Sequence, residues 1–270
     1  MTNALQGALQ RARDEKRAAL VVYFCAGDPN LEATPSLILA AAKAGADIIE
    51  VGMPFSDPTA DGPVIQQASE RALAQGTTLP VVLDAVAQAQ KRHDQHIPIV
   101  LYSYYNPILA YGQDALVADA AQAGIDGMLV VDLPPRESHP LREVMQTRGM
   151  HMIPLLAPTS GPQRINEAAA IAGSFIYYVS LTGVTGAKLA NLSEAAQRAQ
   201  VLREQTKVPV ALGFGIKNPE DVRAVAPHVD AVVVGSAVVQ CISDAANAED
   251  AAQALYTKVA ALRTGTAWNS

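Results

Sequence analysis

Short apolar runs rich in Val, Ile and Leu recur along the chain, and between them apolar residues return every three or four positions. The runs at 20–23, 48–51, 97–101, 127–131, 152–156, 175–179, 209–212 and 231–234 predict strands. Because they are nearly continuously hydrophobic rather than alternating, they predict a parallel sheet covered on both faces. Helical spacing predicts helices at 37–43, 79–91, 114–123, 137–148, 165–171, 194–204 and 220–225. Eight alternating strand and helix units favour an α/β fold closed as a single (β/α)8 TIM barrel over an open sheet.

Ala44-Gly45-Ala46-Asp47 and Ala123-Gly124-Ile125-Asp126 stand before the second and fourth strands. A glycine there ends a helix in the left-handed conformation and lets the chain turn back, so the repeat reads as architecture rather than chemistry. Residues 1–17 form a charged amphipathic segment with no strand of their own. They predict an extra N-terminal helix covering the bottom of the barrel. No linker or low-complexity stretch divides the sequence, so one domain over 1–270 is expected.

The chain has 270 residues, half of them hydrophobic, which matches one such barrel with a sizeable core. A formal net charge of −6 argues against broad binding to nucleic acid or an anionic membrane, yet leaves room for a small anionic substrate. Cys25 and Cys241 are far apart and fit no metal or C-x-x-C spacing, so two small thiols in a reducing compartment are expected. Neither a signal peptide nor a membrane-length apolar run is visible, and a soluble cytoplasmic protein is expected.

Barrel enzymes work at the C-terminal ends of their strands. Strand alternation puts Ile48 and Glu50 on one face and Ile49 and Val51 on the other, so Glu50 faces the barrel mouth. A carboxyl group there is partly desolvated and can hold a proton near neutrality. Position alone leaves it open between a catalytic acid and a structural carboxylate paired with Arg or Lys. The loop that follows carries Asp57 before Pro58 and Asp61 before Gly62-Pro63. Each aspartate suits a turn or a helix cap, although the loop is long and placed where a lid would be.

Gly213-Phe214-Gly215 and Gly235-Ser236 follow the last two strands, where phosphate sites recur in barrels of this kind. Gly183-Val184-Thr185-Gly186, after the sixth strand, suggests a mobile loop that could add N–H donors. Tyr177 shares a face with Phe175 and Val179, either lining a pocket or packing as a barrel aromatic. The histidines at 93, 96, 139, 151 and 228 do not cluster at strand ends, which argues against a metal-dependent aldolase site. His93 and His96 fall on the opposite side of the barrel, where solvation is expected. No lysine lies within a predicted strand as a Schiff-base nucleophile would. Carboxylate acid–base chemistry remains.

The run from Glu50-Val51-Gly52-Met53-Pro54-Phe55-Ser56-Asp57 through Pro58-Thr59-Ala60-Asp61-Gly62-Pro63 resembles the signature of the tryptophan synthase α subunit family. Ala26-Gly27-Asp28-Pro29, Tyr104-Tyr105-Asn106-Pro107, Asp132-Leu133-Pro134-Pro135 and the glycine motifs above extend the resemblance along the chain. It implies retro-aldol cleavage of indole-3-glycerol phosphate to indole and glyceraldehyde 3-phosphate. Glu50 then matches the residue that moves protons at the carbon centre and the hydroxyl, and Asp61 the one that answers charge on the indole nitrogen.

The resemblance also implies an indole pocket of Tyr177, Phe214, Leu101, Leu129, Leu155 and Tyr104, with phosphate on Gly186, Gly215, Gly235 and Ser236. It implies neither metal nor organic cofactor in this chain, because pyridoxal phosphate belongs to the partner β subunit. Docking in an αββα complex would use Asp57, Asn106 and Pro134. Closure of the Asp61 loop and of residues 181–191 would couple the partner to activity. Two positions depart from the pattern: Leu181, where some members carry Arg, and Tyr102, often Met. The second is expected to change packing under the site while leaving Glu50 and Asp61 untouched. Alternatives are a free-standing indole-3-glycerol phosphate lyase, a phosphosugar isomerase barrel, and a silent barrel that only regulates a β subunit.

Overall fold

The computed structural model describes residues 3–179, 188–213 and 215–268, with the side chains of 188–191 left aside. It is built from parallel strands in the hydrogen-bonded order β5-β4-β3-β2-β1-β9-β8-β7-β6. These are β1 (Ala19–Cys25), β2 (Ile48–Gly52), β3 (Ile99–Ser103), β4 (Gly127–Val130), β5 (His151–Met152), β6 (Leu155–Leu156), β7 (Ile176–Val179), β8 (Val210–Gly213) and β9 (Ala231–Val234). The fifth predicted strand is thus two short pieces. Pro154 lies between them and has no N–H to give a ladder. One piece pairs with β4 and the other with β7, so the same stretch of chain closes the barrel from both sides. The Ile153 N–H still donates to the Met128 carbonyl, and Tyr177 N–H to that of Pro154.

Alternation divides the apolar residues into two layers. Ile49, Val51, Leu101, Met128 and Val130 belong to the outer layer under the helices. Ile48, Val100, Leu129, Ile153, Phe175 and Val233 fill the barrel interior. The N-terminal helix α1 (Ala4–Asp14) plugs the bottom: its Leu5, Ala8, Leu9 and Ala12 join the interior cluster. Gly127 makes that fit possible, because a side chain at this position would run into Leu5 and the His151 carbonyl. Asn3 caps α1, accepting from the Leu5 N–H at 2.9 Å.

The glycine–aspartate repeat has a second role besides the turn. Gly45 and Gly124 take positive φ as expected. The aspartate that follows accepts a backbone N–H from the start of the neighbouring strand: Asp47 from Leu20 at 2.8 Å, Asp126 from Ile99 at 2.9 Å. Asp230 does the same for Val210 at 3.0 Å. Arg17 locks Asp47 through both oxygens at 2.6 and 2.7 Å. His96 is not simply solvated as expected. Its Nε2 lies 2.9 Å from Asp126, whose hydrogen bond raises the imidazole pKa.

Helices α2 (Ala33–Lys43), α4 (Leu79–Lys91), α6 (Gln113–Ala123), α7 (His139–Thr147), α8 (Pro162–Ile171), α9 (Lys188–Thr206) and α10 (Pro219–Val225) overlap predicted ones. Three others lie where none was predicted, α3 (Pro63–Ala74), α5 (Tyr105–Tyr111) and α12 (Ala248–Arg263), while α11 (Ser236–Ser243) starts where Gly235-Ser236 leaves the last strand. Both cysteines are free; Cys25 is buried and Cys241 half-buried. No helix among the described residues is long and apolar enough to cross a membrane.

Candidate active site

The parallel register carries Glu50 into the mouth. Tyr23 of β1, Glu50 and Val100 of β3 are successive partners across the sheet, and Val100 is interior. Glu50 is 2 % exposed, and among the described residues no Arg or Lys pairs with it. Burial, and secondarily the negative charge of Asp61, push its pKa up to about 8. An unpaired buried carboxyl prefers its neutral form, so Glu50 carries a proton at neutral pH. The reading of Glu50 as a structural ion-pair member is therefore not the arrangement present.

Asp61 comes from loop 53–62 between β2 and α3. It does not cap α3, whose N-cap is Gly62 with no side-chain bond. Its carboxylate turns inward instead. The Tyr102 hydroxyl donates to Oδ1 at 2.6 Å and that of Tyr104 to Oδ2 at 3.1 Å. Burial raises the Asp61 pKa, and the two phenol donors pull the other way. Loop and strand are tied further, since the Ala60 N–H donates to the Tyr104 hydroxyl at 3.0 Å. Phe55 also stacks on Tyr104, with ring centroids 4.9 Å apart. Gln66 of α3 holds the Asp61 carbonyl at 2.8 Å.

Tyrosines line the rest of the mouth. Tyr177 and Leu155 are register partners on β7 and β6, and both pack on the interior cluster with Leu129. The Tyr177 and Tyr23 hydroxyls rest where side chains at Gly213 and Gly52 would otherwise stand. Burial raises the phenol pKa values of Tyr23, Tyr102 and Tyr177 well above normal, so all three stay protonated donors.

Leu101 does not belong to this set. It pairs with Val51 in register and lies in the outer layer, facing the helices. The interior positions of β3 are Val100 and Tyr102. Tyr102 is thus more than a packing change under the site, because its hydroxyl touches Asp61 directly. Tyr23, Phe55 and Tyr102 were absent from the sequence-based site. The alternation that oriented Glu50 carries the signal for Tyr102, and the register carries it for Tyr23.

On the other side of β1 from Glu50, Gly235 and Ser236 form the start of α11 right after β9. The first N–H groups of a helix lack intrahelical acceptors, and no side chain caps this one. The neighbouring α10 is different, since Asn218 accepts from its own Asp221 N–H at 2.8 Å. Gly215, exposed and at φ +71°, lies between β8 and α10. Phe214, Leu181 and Gly186 lie outside the described residues. Asp57 and Asn106 are exposed and Pro134 half-buried; Asp57 and Pro134 lie on the loops after β2 and β4 and Asn106 in the first turn of α5 after β3, and the three strands are neighbours in the sheet. Leu109 of α5 stands 50 % exposed on the same side. Among the described residues no group of three or more His, Cys, Asp or Glu gathers as metal ligands.

Comparison with known proteins agrees with this fold. The family model described as tryptophan synthase alpha chain matches residues 9–267. The tryptophan synthase alpha chain of Geobacter sulfurreducens is 46 % identical over 259 residues, 96 % of this chain and 97 % of the relative. That of Geotalea daltonii is 47 % identical over 252 residues, covering 93 % and 94 %. The crystal structure of the alpha chain from Legionella pneumophila superposes with a TM-score of 0.89 at 37 % identity, covering 98 % and 97 %. The chain belongs to the tryptophan synthase alpha chain family.

Proposed function

We propose that Glu50 and Asp61 perform the α reaction of tryptophan synthase here, the retro-aldol cleavage of indole-3-glycerol phosphate into indole and glyceraldehyde 3-phosphate. As a member of its family the chain is a carbon–carbon lyase of tryptophan biosynthesis that works with a β subunit. The observation that carries the residue assignment is the pairing of a buried, protonated Glu50 with a loop carboxylate held by two phenols. Two carboxyl groups in environments this different can serve as acid and as base at one pH.

The proton ledger is short. Glu50 gives its proton to indole C3 while Asp61 accepts or stabilises the N–H proton of the resulting indolenine. The bond from C3 to the side chain then breaks. Its electrons restore the indole ring, and the ionised Glu50 takes the hydroxyl proton as the aldehyde forms. In net terms one proton moves from hydroxyl to C3, and the N–H is restored. Tyr177, Leu129 and Leu155 would bound the indole, and Phe214 is assigned to it by resemblance alone. Gly215, Gly235 and Ser236, with Gly186, would hold the phosphate on backbone N–H groups favoured by the start of α11.

The rim formed by Asp57, Asn106 and Pro134 is the proposed docking face for the β subunit, where the pyridoxal phosphate of the second reaction belongs. This chain would carry no cofactor of its own, and a cytoplasmic location follows from the pathway. The test is indole release from indole-3-glycerol phosphate, by the purified chain alone and with a tryptophan synthase β subunit. Slow release that rises at least tenfold with the partner is expected. Full activity alone would favour the free-standing lyase, and no indole from folded protein in either condition would overturn the assignment.

A further inference from the structure

We propose that Tyr102 is a positioning residue of this site: it and Tyr104 grip Asp61 by both carboxylate oxygens and set that group before substrate enters. The proposal rests on the lyase reading above. The Tyr102 hydroxyl sits on the interior face at the end of β3, 2.6 Å from Oδ1, and this is the shorter of the two contacts. Tyr104 divides its hydroxyl between Asp61 and the Ala60 N–H, whereas among the described residues no other hydrogen bond engages the Tyr102 hydroxyl.

The ring of Tyr102 is itself braced. Tyr23 meets it edge-on, with centroids 5.1 Å apart and planes at 70°, and the Tyr23 hydroxyl end rests over Gly52. A chain of contacts thus runs from the barrel wall to the loop carboxylate. An apolar side chain at 102 could fill the space, but Oδ1 would then have no donor among the described residues. A carboxylate has room for about four hydrogen bonds, so two phenols leave places for an indole N–H. Tyr102 can therefore stay bound while Asp61 does its work.

Donors to the charged form of a carboxyl group favour that form. The groups around Asp61 are Glu50 of β2, Tyr23 and Cys25 of β1, Tyr102 and Tyr104, and Tyr177 of β7. Below the Glu50 titration none of them carries charge. The phenol donors are then what opposes burial at Asp61.

The test compares wild type with Tyr102→Phe, which keeps the ring and its contact with Tyr23. With β subunit present, kcat/KM is expected to fall on the order of tenfold, and the acidic limb of its pH profile to move upward. A residue that only packs would move neither, so an unchanged rate and limb in Tyr102→Phe overturn the proposal while the lyase reading stands. A second readout is independent of turnover: the 13C titration of the Asp61 side-chain carboxyl, assigned with Asp61→Asn. A higher midpoint in Tyr102→Phe supports the positioning role even if wild type releases no indole, and an unchanged midpoint overturns it.

Discussion

Glu50→Gln should make the protein more stable while removing most of its activity, and the gain should depend on pH. In the folded chain the Glu50 pKa is raised from 4.5 to about 8 by burial and by the Asp61 charge. The unfolded chain has the ordinary value. Between those two pH values the folded state binds more protons than the unfolded state, so stability falls as pH rises. Each pH unit in that window costs about 1.36 kcal/mol, so the penalty at pH 7 has an upper bound of about 3 kcal/mol. Glutamine keeps the shape and never ionises, so it escapes the penalty. The assay is the thermal midpoint of both proteins at pH 5, 6, 7 and 8. The variant's advantage should be smallest at pH 5 and widen with pH, reaching several degrees at roughly 2–4 °C per kcal/mol for a chain near this size. Indole release should drop roughly 10²–10⁴-fold over the same range. A difference in midpoint that stays flat from pH 5 to 8 would refute the claim that Glu50 is held as a neutral buried acid.

Asp61→Asn should abolish most turnover and also lower the Glu50 titration, because one of the two causes of its high pKa is gone; carboxyl NMR of Glu50 reads the shift. It should remain above 4.5, since burial is the larger cause. Gly52→Ala forces a methyl into the Tyr23 ring end, and an expected loss of about 1–3 kcal/mol in urea should be partly recovered by Tyr23→Phe. Arg71→Met strips the bidentate partner from Asp28, which is 1 % exposed. Because Arg71 itself is 40 % exposed, about 1–3 kcal/mol is expected in urea unfolding rather than the full cost of a wholly buried pair. Leu5→Ala opens the bottom plug and should cost about 2–5 kcal/mol with catalytic constants unchanged.

The barrel was legible because its signal is redundant: every strand is an apolar run, and each is followed by room for a helix. The missed helices fail that test locally. The start of α3 reads as the end of a Pro- and Gly-rich loop, with Gly62-Pro63 as its N-cap and first residue. Helix α5 is only seven residues long and opens on an aromatic and proline cluster that looks like a turn. The predicted third strand began at 97, yet Ile97 bonds through its N–H and carbonyl to the Gln90 side chain, and the ladder runs from Ile99 to Ser103. A side chain reaching back from a preceding helix is invisible to periodicity.

The far limit of that strand also bears on the site, because the expected strand stopped at 101 and left Tyr102 outside it. Alternation oriented Glu50 because the second strand's limits were right, and its apolar neighbours left only one inward face. On the third strand, chemical likeness chose Leu101, an apolar residue suited to an indole pocket. Since side chains switch face at every position, a neighbour by one residue is the opposite wall of the barrel. Leu101 pairs with the outward Val51, so Tyr102 must face inward with Val100. The residue that looked like a departure from the family pattern is thereby placed to touch Asp61. Tyr23 shows the same logic from the other side of the sheet, because its partner in register is Glu50. In a parallel barrel, orienting one buried carboxyl fixes the inward faces of the strands beside it, and the placing of Tyr23 and Tyr102 follows from that single assignment.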